Sequence, residues 1–335
     1  MFNSVDVNSE LRIVRLGGGD TLKNEIYQDD LKELVEMIDH QYSGIDVWYN
    51  RKVVPGLKEK GRFAYIVYSK NQPVGSAIIR KGDDAKLCSM RILPKWREKG
   101  IGNLLMALLG KEIRRFAGKV HFTAPLSTYE DNEPFFDKLG FEYMGEAYRQ
   151  YRLFDKEILC TVDANILWKN ILSDLENTIE KFTLIGNLKH PDLVMSIKPE
   201  FANKIKEKKK KVEIRRRFSK KWKGAYAMLY ASAPLCEFFG EAQISDIIDS
   251  EPKEIWKLFG PVIGIDEDKY YEYCKGADKI SALVLSEIDI YKSGILKDQV
   301  EFLLDKELKA PQSYCAIKEG TTWPTAVSLN YLLLA

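Results

Sequence analysis

The stretch that most constrains this chain is Met90-Arg-Ile-Leu-Pro-Lys-Trp-Arg97-Glu-Lys-Gly100-Ile-Gly102-Asn103. Before it, Ala85-Lys-Leu-Cys-Ser-Met-Arg-Ile92 is a short, mostly apolar run of strand-compatible residues. After it, Ile101, Leu104, Leu105, Leu108, Leu109, Ile113 and Phe116 recur at helical spacing and form one apolar face. Arg97 to Gly102 is therefore expected to be a strand-to-helix turn carrying two glycines. Such a turn leaves the first N–H groups of the helix without intrahelical partners and adds the positive end of a helix dipole. Glycine lets a bulky anion come close to the backbone. The chemistry expected there is the binding of a phosphate or pyrophosphate.

The spacing is neither Gly-x-x-x-x-Gly-Lys-Ser/Thr nor Gly-x-Gly-x-x-Gly, which excludes a nucleoside-triphosphate loop and the dinucleotide fingerprint. Arg-x-x-Gly-x-Gly, preceded by Leu-Pro and followed by an amphipathic helix, resembles the acetyl-coenzyme A loop of the GNAT N-acetyltransferases. A second element follows: the strand Val120-His-Phe-Thr-Ala124, then Pro134-Phe-Phe-Asp-Lys-Leu-Gly140-Phe141. Its Phe-x-Lys-Leu-Gly-Phe ending is similar to that family's last helix and turn. The resemblance covers about residues 10 to 155 and implies a mixed β-sheet flanked by helices, with acetyl-CoA as cofactor. It also implies that main-chain groups of Ile92 meet the pantetheine, while those of Arg97, Lys99, Gly100, Ile101 and Gly102 hold the pyrophosphate. Many relatives place a tyrosine acid where Phe136 stands and an asparagine where Tyr129 stands. Tyr129 is a candidate replacement if Thr128-Tyr-Glu-Asp131 folds over the cofactor. Glu130 and Asp131 are candidate bases, or plain surface carboxylates.

At 335 residues the chain is long for one domain. Its 45% hydrophobic and 30% charged content describes a globular protein with proper cores. Cys88, Cys160, Cys236, Cys274 and Cys315 show no Cys-x-x-Cys spacing, which fits reduced thiols better than a disulfide framework or zinc site. His40, His121 and His190 are scattered, so no metal is expected. No signal sequence or apolar span of roughly 18 residues is present, and the reading is a cytoplasmic protein without membrane contact.

The expected organisation is a GNAT domain over 1–158, a semi-rigid connecting helix over 159–188, and a second domain over 189–335. Within the first, Leu11–Leu16 is a strand, Asp30–Ile38 an amphipathic helix, and Trp48–Lys60 a broken helix over the acceptor cleft. Phe63–Tyr68 and Val74–Ile79 form a hairpin, and two short strands fall between Phe141 and Phe154. The connecting helix is read from Ile166, Leu167, Ile171, Leu175 and Ile179 at helical spacing.

In the second domain, Leu193–Ile197 is a strand and Lys198-Pro199-Glu-Phe-Ala-Asn-Lys-Ile a short helix. Lys204 to Lys223 then carries twelve lysines and arginines against two glutamates. Val212 and Ile214 alternate with Glu213 and Arg215, so a strand would present Lys211, Glu213, Arg215 and Arg217 on one face as a concentrated positive surface. Ser-Ile-Lys198-Pro, a helix, then Lys210-x-x-Glu213-x-Arg215 resembles the ASCH domain, a small PUA-like β-barrel tied to RNA. Tyr226–Pro234, Phe238–Asp246 and Ala282–Ile288 fit its later strands. The fold class is α+β. The resemblance implies an RNA partner, with Lys198, Lys210, Glu213, Arg215 and Arg217 as contacts. Phe218 and Trp222 either stack bases or pack in the core. Some relatives hydrolyse acetylated nucleosides with a lysine, a threonine and a later glutamate. Here Glu213 occupies the threonine position and Glu287 fits the later glutamate, so hydrolysis is disfavoured. The function expected is acetyl transfer to an amine acceptor presented by, or linked to, RNA. The alternative is a nucleic-acid-binding regulator with an acetyl-CoA sensor domain.

Overall fold

The computed structural model describes residues 11–18, 21–37, 42, 44–149, 155–180 and 190–334. Ile38, His40, residues 150–154 and residues 181–188 of the expected connecting segment lie outside them. Two compact units divide between Leu188 and Lys189.

The first unit runs β1 (Leu11–Leu16), α1 (Thr21–Glu36), α2 (Ile45–Trp48), a π-turn over Tyr49–Val53, α3 (Val54–Lys58), β2 (Arg62–Ser69), β3 (Gln72–Arg80) and β4 (Asp84–Ile92). It continues with α4 (Ile101–Ile113), β5 (Lys119–Pro125), α5 (Leu126–Glu130), α6 (Glu133–Leu139), β6 (Glu142–Glu146), β7 (Glu157–Asp163), α7 (Ala164–Ser173) and α8 (Leu175–Glu180). The strands form one sheet in the order β1-β2-β3-β4-β5-β7-β6. β2 to β3 and β3 to β4 are antiparallel, while β4 to β5 is parallel. The central strands are buried on both faces, which is why Phe63 to Tyr68 is a continuous apolar run rather than an alternating one. One face packs on α4; the other holds Val14, Leu16, Leu31, Leu34, Val35, Tyr49, Val53 and Leu57.

The expected connecting helix is corrected here. Residues 157–163 are a strand paired with β5 and β6, and α7 and α8 lie against α4. Asp163 caps α7, accepting from the N–H groups of Asn165 and Ile166. Gly110 of α4 makes the close approach: a Cβ there would meet Ile171 at 2.8 Å and Trp168 at 2.9 Å. Trp168 is 1% exposed. The helical spacing was a true signal, but its apolar stripe is buried in the first unit instead of bridging two.

The second unit comprises β8 (Leu193–Ile197), α9 (Pro199–Lys206), β9 (Val212–Arg215), β10 (Tyr226–Ala231), β11 (Glu237–Ser250), α10 (Pro252–Ile263), α11 (Glu267–Cys274), β12 (Ile280–Leu296), α12 (Lys297–Leu304), β13 (Tyr314–Ala316) and α13 (Trp323–Leu334). Its sheet has the order β13-β8-β10-β11-β12-β9 and curls into a half-barrel. The concave face is filled by Leu193, Met195, Leu229, Phe239, Leu283 and Leu285. Val212, Ile214, Ile280 and Ala282 on the other face pack on α10 and α11.

Candidate functional site

In the first unit the site starts from a break in strand pairing. β4 and β5 pair only at Asp84 with Lys119, Ala85 with Val120, and Lys86 with His121. β4 continues to Ile92 and β5 to Pro125, so the two strands part towards their C-terminal ends. A bulge helps: Ile78 opposes Ser89 and Ile79 opposes Leu87, which leaves Cys88 as the extra residue of β4. Ile92 ends the strand beside Gly75. A short 3-10 turn over Pro94–Trp96 follows, then extended Arg97 and left-handed Gly100 at φ +88.

The first intrahelical bond of α4 runs from Leu104 N–H to Gly100 C=O at 3.0 Å. The N–H groups of Ile101, Gly102 and Asn103 therefore precede the ladder, at the positive end of a 13-residue helix. A Cβ on Gly102 would meet Phe135 at 3.1 Å and Ile92 at 3.5 Å, so glycine keeps this turn open. Lys99 lies 5.4 Å above the Trp96 ring, and Arg97 is exposed. Ile92, Gly100, Ile101 and Gly102 are thus brought together at the mouth of the strand split, a cradle that fits a pyrophosphate on chemical grounds.

Thr128 to Asp131 is not a loop folded over this mouth, as expected, but belongs largely to the short helix α5. Tyr129 is turned inward, 7% exposed, and its ring stacks on Phe136 at 6.1 Å and 15°. Its hydroxyl lies 3.5 Å from Asp137, and burial pushes its pKa up. Phe136 packs in an aromatic cluster with Phe122 at 4.4 Å, Phe135 at 5.4 Å and Phe141 at 5.9 Å. Glu130 is exposed.

The opposite face of the split holds polar groups that sequence reasoning missed. Lys86 donates to Thr123 Oγ1 at 3.2 Å, and burial lowers its pKa. Arg62 donates to the Cys88 sulfur at 2.8 Å. Glu157 on β7 is 2% exposed and accepts from the Tyr42 hydroxyl at 3.1 Å. These residues are spread over β2, β4, β5 and β7, so no local motif announces them. A lysine flanked by the apolar Ala85 and Leu87 was the one available signal.

In the second unit the Lys-x-x-Glu-x-Arg pattern forms a buried ion network instead of a positive surface. Lys210 is 2% exposed and donates to the carbonyls of Val212 at 2.8 Å and Ile263 at 2.7 Å. It also lies 3.1 Å from Glu213, and burial lowers its pKa. Arg215 pairs with Glu213 at 3.1 Å and donates to Ser196 O on β8 at 2.6 Å and Ser313 Oγ at 3.3 Å. Arg215 thus spans the open side of the half-barrel, from edge strand β9 to β8. The expectation that Lys210, Glu213 and Arg215 face phosphates is corrected: their strand turns that face into the barrel. Lys198, at the start of α9, and Arg217 are exposed. Phe218 is 8% exposed and packs against Tyr314 at 4.5 Å, so it belongs to the core. Glu287 accepts from the Tyr226 hydroxyl at 3.1 Å.

A parted strand pair leading into a glycine turn, joined in one chain to a half-barrel with a Lys–Glu–Arg centre, defines an acetyltransferase-type unit followed by a small half-barrel module. Comparison with known proteins agrees. Residues 33–152 match the family described as acetyltransferase (GNAT) domain, and residues 192–301 match a domain of unknown function, DUF365. A curated ASCH domain-containing ribonuclease of Zymomonas mobilis is 31% identical over 96 residues, covering 29% of this chain and 65% of that protein. The crystal structure of the Zymomonas mobilis ASCH protein aligns at 26% identity and TM-score 0.37, over 42% of this chain and 92% of that one. A putative GNAT acetyltransferase of Desulfovibrio desulfuricans aligns at 16% identity and TM-score 0.36, over 45% of this chain and 99% of that one. The chain carries a GNAT acetyltransferase domain followed by an ASCH-like domain. Among the described residues no helix is long and apolar enough to cross a membrane, and no cluster of metal-binding side chains occurs.

Proposed function

We propose that this protein transfers an acetyl group from acetyl-CoA to an amine on an acceptor presented by, or linked to, RNA on its C-terminal unit. The parting of β4 from β5 beyond Lys86 and His121, opening onto the Gly100–Gly102 turn, carries the reading. Bound acetyl-CoA would supply the acetyl group as a thioester. Main-chain groups of Arg97, Lys99, Gly100, Ile101 and Gly102 hold the pyrophosphate, and those of Ile92 meet the pantetheine. Tyr129, although turned inward onto Phe136, is the proposed proton donor and Glu130 the proposed base, with Glu157 a carboxylate better sheltered from water. RNA is proposed to meet the exposed cations Lys198 and Arg217.

Transfer of labelled acetyl groups into a cell extract, followed by separation of RNA, protein and small molecules, tests the reading. Label in an RNA-linked fraction is the expected result; label confined to free small molecules would refute the RNA link. A second reading is a nucleic-acid-binding regulator that uses the first unit as an acetyl-CoA sensor. It is favoured by Phe136, whose ring sits in an aromatic cluster and has no proton to give. Binding of acetyl-CoA without turnover in any fraction would favour it.

A further inference from the structure

At one end of the half-barrel, Arg216, Arg217, Phe218, Asp249, Lys279 and Ser281 line an open groove of about 680 Å³. That size falls in the roughly 300–1,000 Å³ range of small-ligand sites. The groove is formed where three strands end together. Arg215 of β9 opposes Ser281 of β12, which opposes Asp249 of β11. One wall is the loop before β12, and Arg216 pins it by donating to the carbonyls of Tyr273 at 2.9 Å and Lys275 at 3.3 Å. The site is therefore organised before any ligand arrives.

Beside the exposed Asp278 at its rim, its polar groups fall into two kinds. Arg217 and Lys279 are exposed cations, and among the described residues neither takes part in an ion pair. Asp249 is an acceptor held in place by its surroundings. Ser281 is 3% exposed, accepts from Phe218 N–H at 3.1 Å, and donates its hydroxyl to Asp249 Oδ1 at 2.7 Å. Among the described residues the second oxygen, Oδ2, is paired with the exposed Lys220 alone, at 3.5 Å, and a carboxylate has about four lone-pair positions. It retains room for a donor from a ligand. A simple anion would suit the two cations but would meet repulsion from Asp249. A group that joins an anion to a nearby hydroxyl suits both.

We propose that this groove binds a nucleotide of single-stranded RNA, its phosphate on Arg217 and Lys279 and its 2′-hydroxyl on the Asp249 carboxylate. The inference rests on the RNA-binding reading above and deepens it by naming where and how RNA is told from DNA. The hydroxyl donates to Asp249 Oδ2; a deoxynucleotide leaves that oxygen facing only solvent and the phosphate's negative charge.

Fluorescence anisotropy of the full chain with a single-stranded oligoribonucleotide, and with the deoxy form of the same sequence, tests this over a range of salt. The wild type should bind the ribo form more tightly. Replacing Arg217 and Lys279 with alanine together should weaken both forms by on the order of tenfold to a hundredfold. The salt slope of log K should fall by about 0.7, the value for one lost single-strand phosphate contact. Asp249→Asn keeps the acceptor for Ser281 but exchanges Oδ2 for an amide. It should narrow the RNA-to-DNA gap by strengthening DNA binding. Thermal melting of each variant checks that the fold is kept. If the wild type binds no RNA, the RNA reading itself falls, and this inference with it. If it binds RNA but the slope and the gap are unchanged in the variants, the groove assignment alone is wrong. Displacement of bound RNA by polyglutamate equally from wild type and Asp249→Asn would mark the groove as a general anion site and overturn the proposal.

Discussion

Gly100 shows how one residue carries two separable demands. Its φ of +88 strains any side chain, and its place at the start of α4 makes a negative charge there repel a pyrophosphate. Gly100→Ala tests strain alone and should cost about 1 kcal/mol of stability. Gly100→Glu should in addition weaken acetyl-CoA binding by on the order of tenfold to a hundredfold, read by calorimetry on a folded variant. Unchanged affinity would remove the turn from cofactor binding. Tyr129 makes a kinetic prediction. Burial raises its pKa, so a Tyr129 acid should stay protonated, and transfer should persist, up to and beyond the ordinary phenol range near 10. Tyr129→Phe should lower kcat and abolish the alkaline limb, whereas wild-type kcat in that variant would exclude the residue. Lys111 links charge to stability in the same unit. It is 8% exposed, and burial lowers its pKa to about 8. Between about 8 and the unfolded value near 10.5 the unfolded chain binds more protons than the folded one, so stability should rise with pH. The gain from this group is on the order of a few kcal/mol, present in full above that window. Lys111→Met should flatten that rise in denaturant melts; an unchanged slope would mean another group is responsible.

At the scale of elements, most strands of both halves and most helices of the first were legible, because hydrophobic period and turn residues are local signals, whereas β7 and helices α10 to α13 were not read. The Gly100–Gly102 turn, the Phe63–Ile79 hairpin and the broken helix before it each follow from a few neighbouring residues. What was not legible is where an apolar stripe is buried. The spacing of Leu167, Ile171 and Leu175 states that a helix has a partner, but Gly110, some sixty residues earlier, identifies that partner as α4. The same limit applies to Val212–Arg215. Alternation correctly gave a strand with two faces, but only the curl of the sheet and Ser196 on β8 reveal that the charged face looks inward. Burying a cation is tolerable when every donor is used, and Lys210 meets two carbonyls and a carboxylate. Lys210→Met should therefore cost about 3–5 kcal/mol in chemical denaturation, as breaking a buried pair does. A phosphate-contacting surface lysine would instead leave stability within about 0.5 kcal/mol. In the first unit, Trp168→Ala should cost about 3–5 kcal/mol through the cavity left against α4. A flexible insertion near Asn170 should unfold that packing as well, since a Cβ on Gly140 would already lie 2.8 Å from the Asn170 amide. Loss of transfer with unaltered stability after such an insertion would restore a spacer role to the helix.

At the scale of the molecule, each unit has its own sheet and its own buried cluster, so each should fold when expressed alone. The cut must respect β7 and α7. A fragment ending at residue 160 divides a strand whose Val162 is buried beside Val120, whereas one ending at 188 keeps the whole first unit. Residues 1–188 should bind acetyl-CoA as the full chain does, and residues 189–335 should bind single-stranded RNA with an affinity that falls steeply with salt. Joining them matters through local concentration. On the proposed reading, an acceptor linked to RNA would be captured by one unit and would then reach the other as an intramolecular partner, with an effective concentration in the millimolar range for short linkers. The fused chain should thus show a KM for an RNA-linked acceptor lower by about 100-fold than the isolated first unit, with kcat nearly the same. For a free amine acceptor without RNA, the two should perform alike. High salt should erase the advantage of the full chain by releasing the RNA, leaving a rate close to that of residues 1–188. If the isolated first unit acetylates the RNA-linked acceptor with the same KM as the full chain at low salt, presentation by RNA is refuted, and the two domains act independently within one polypeptide.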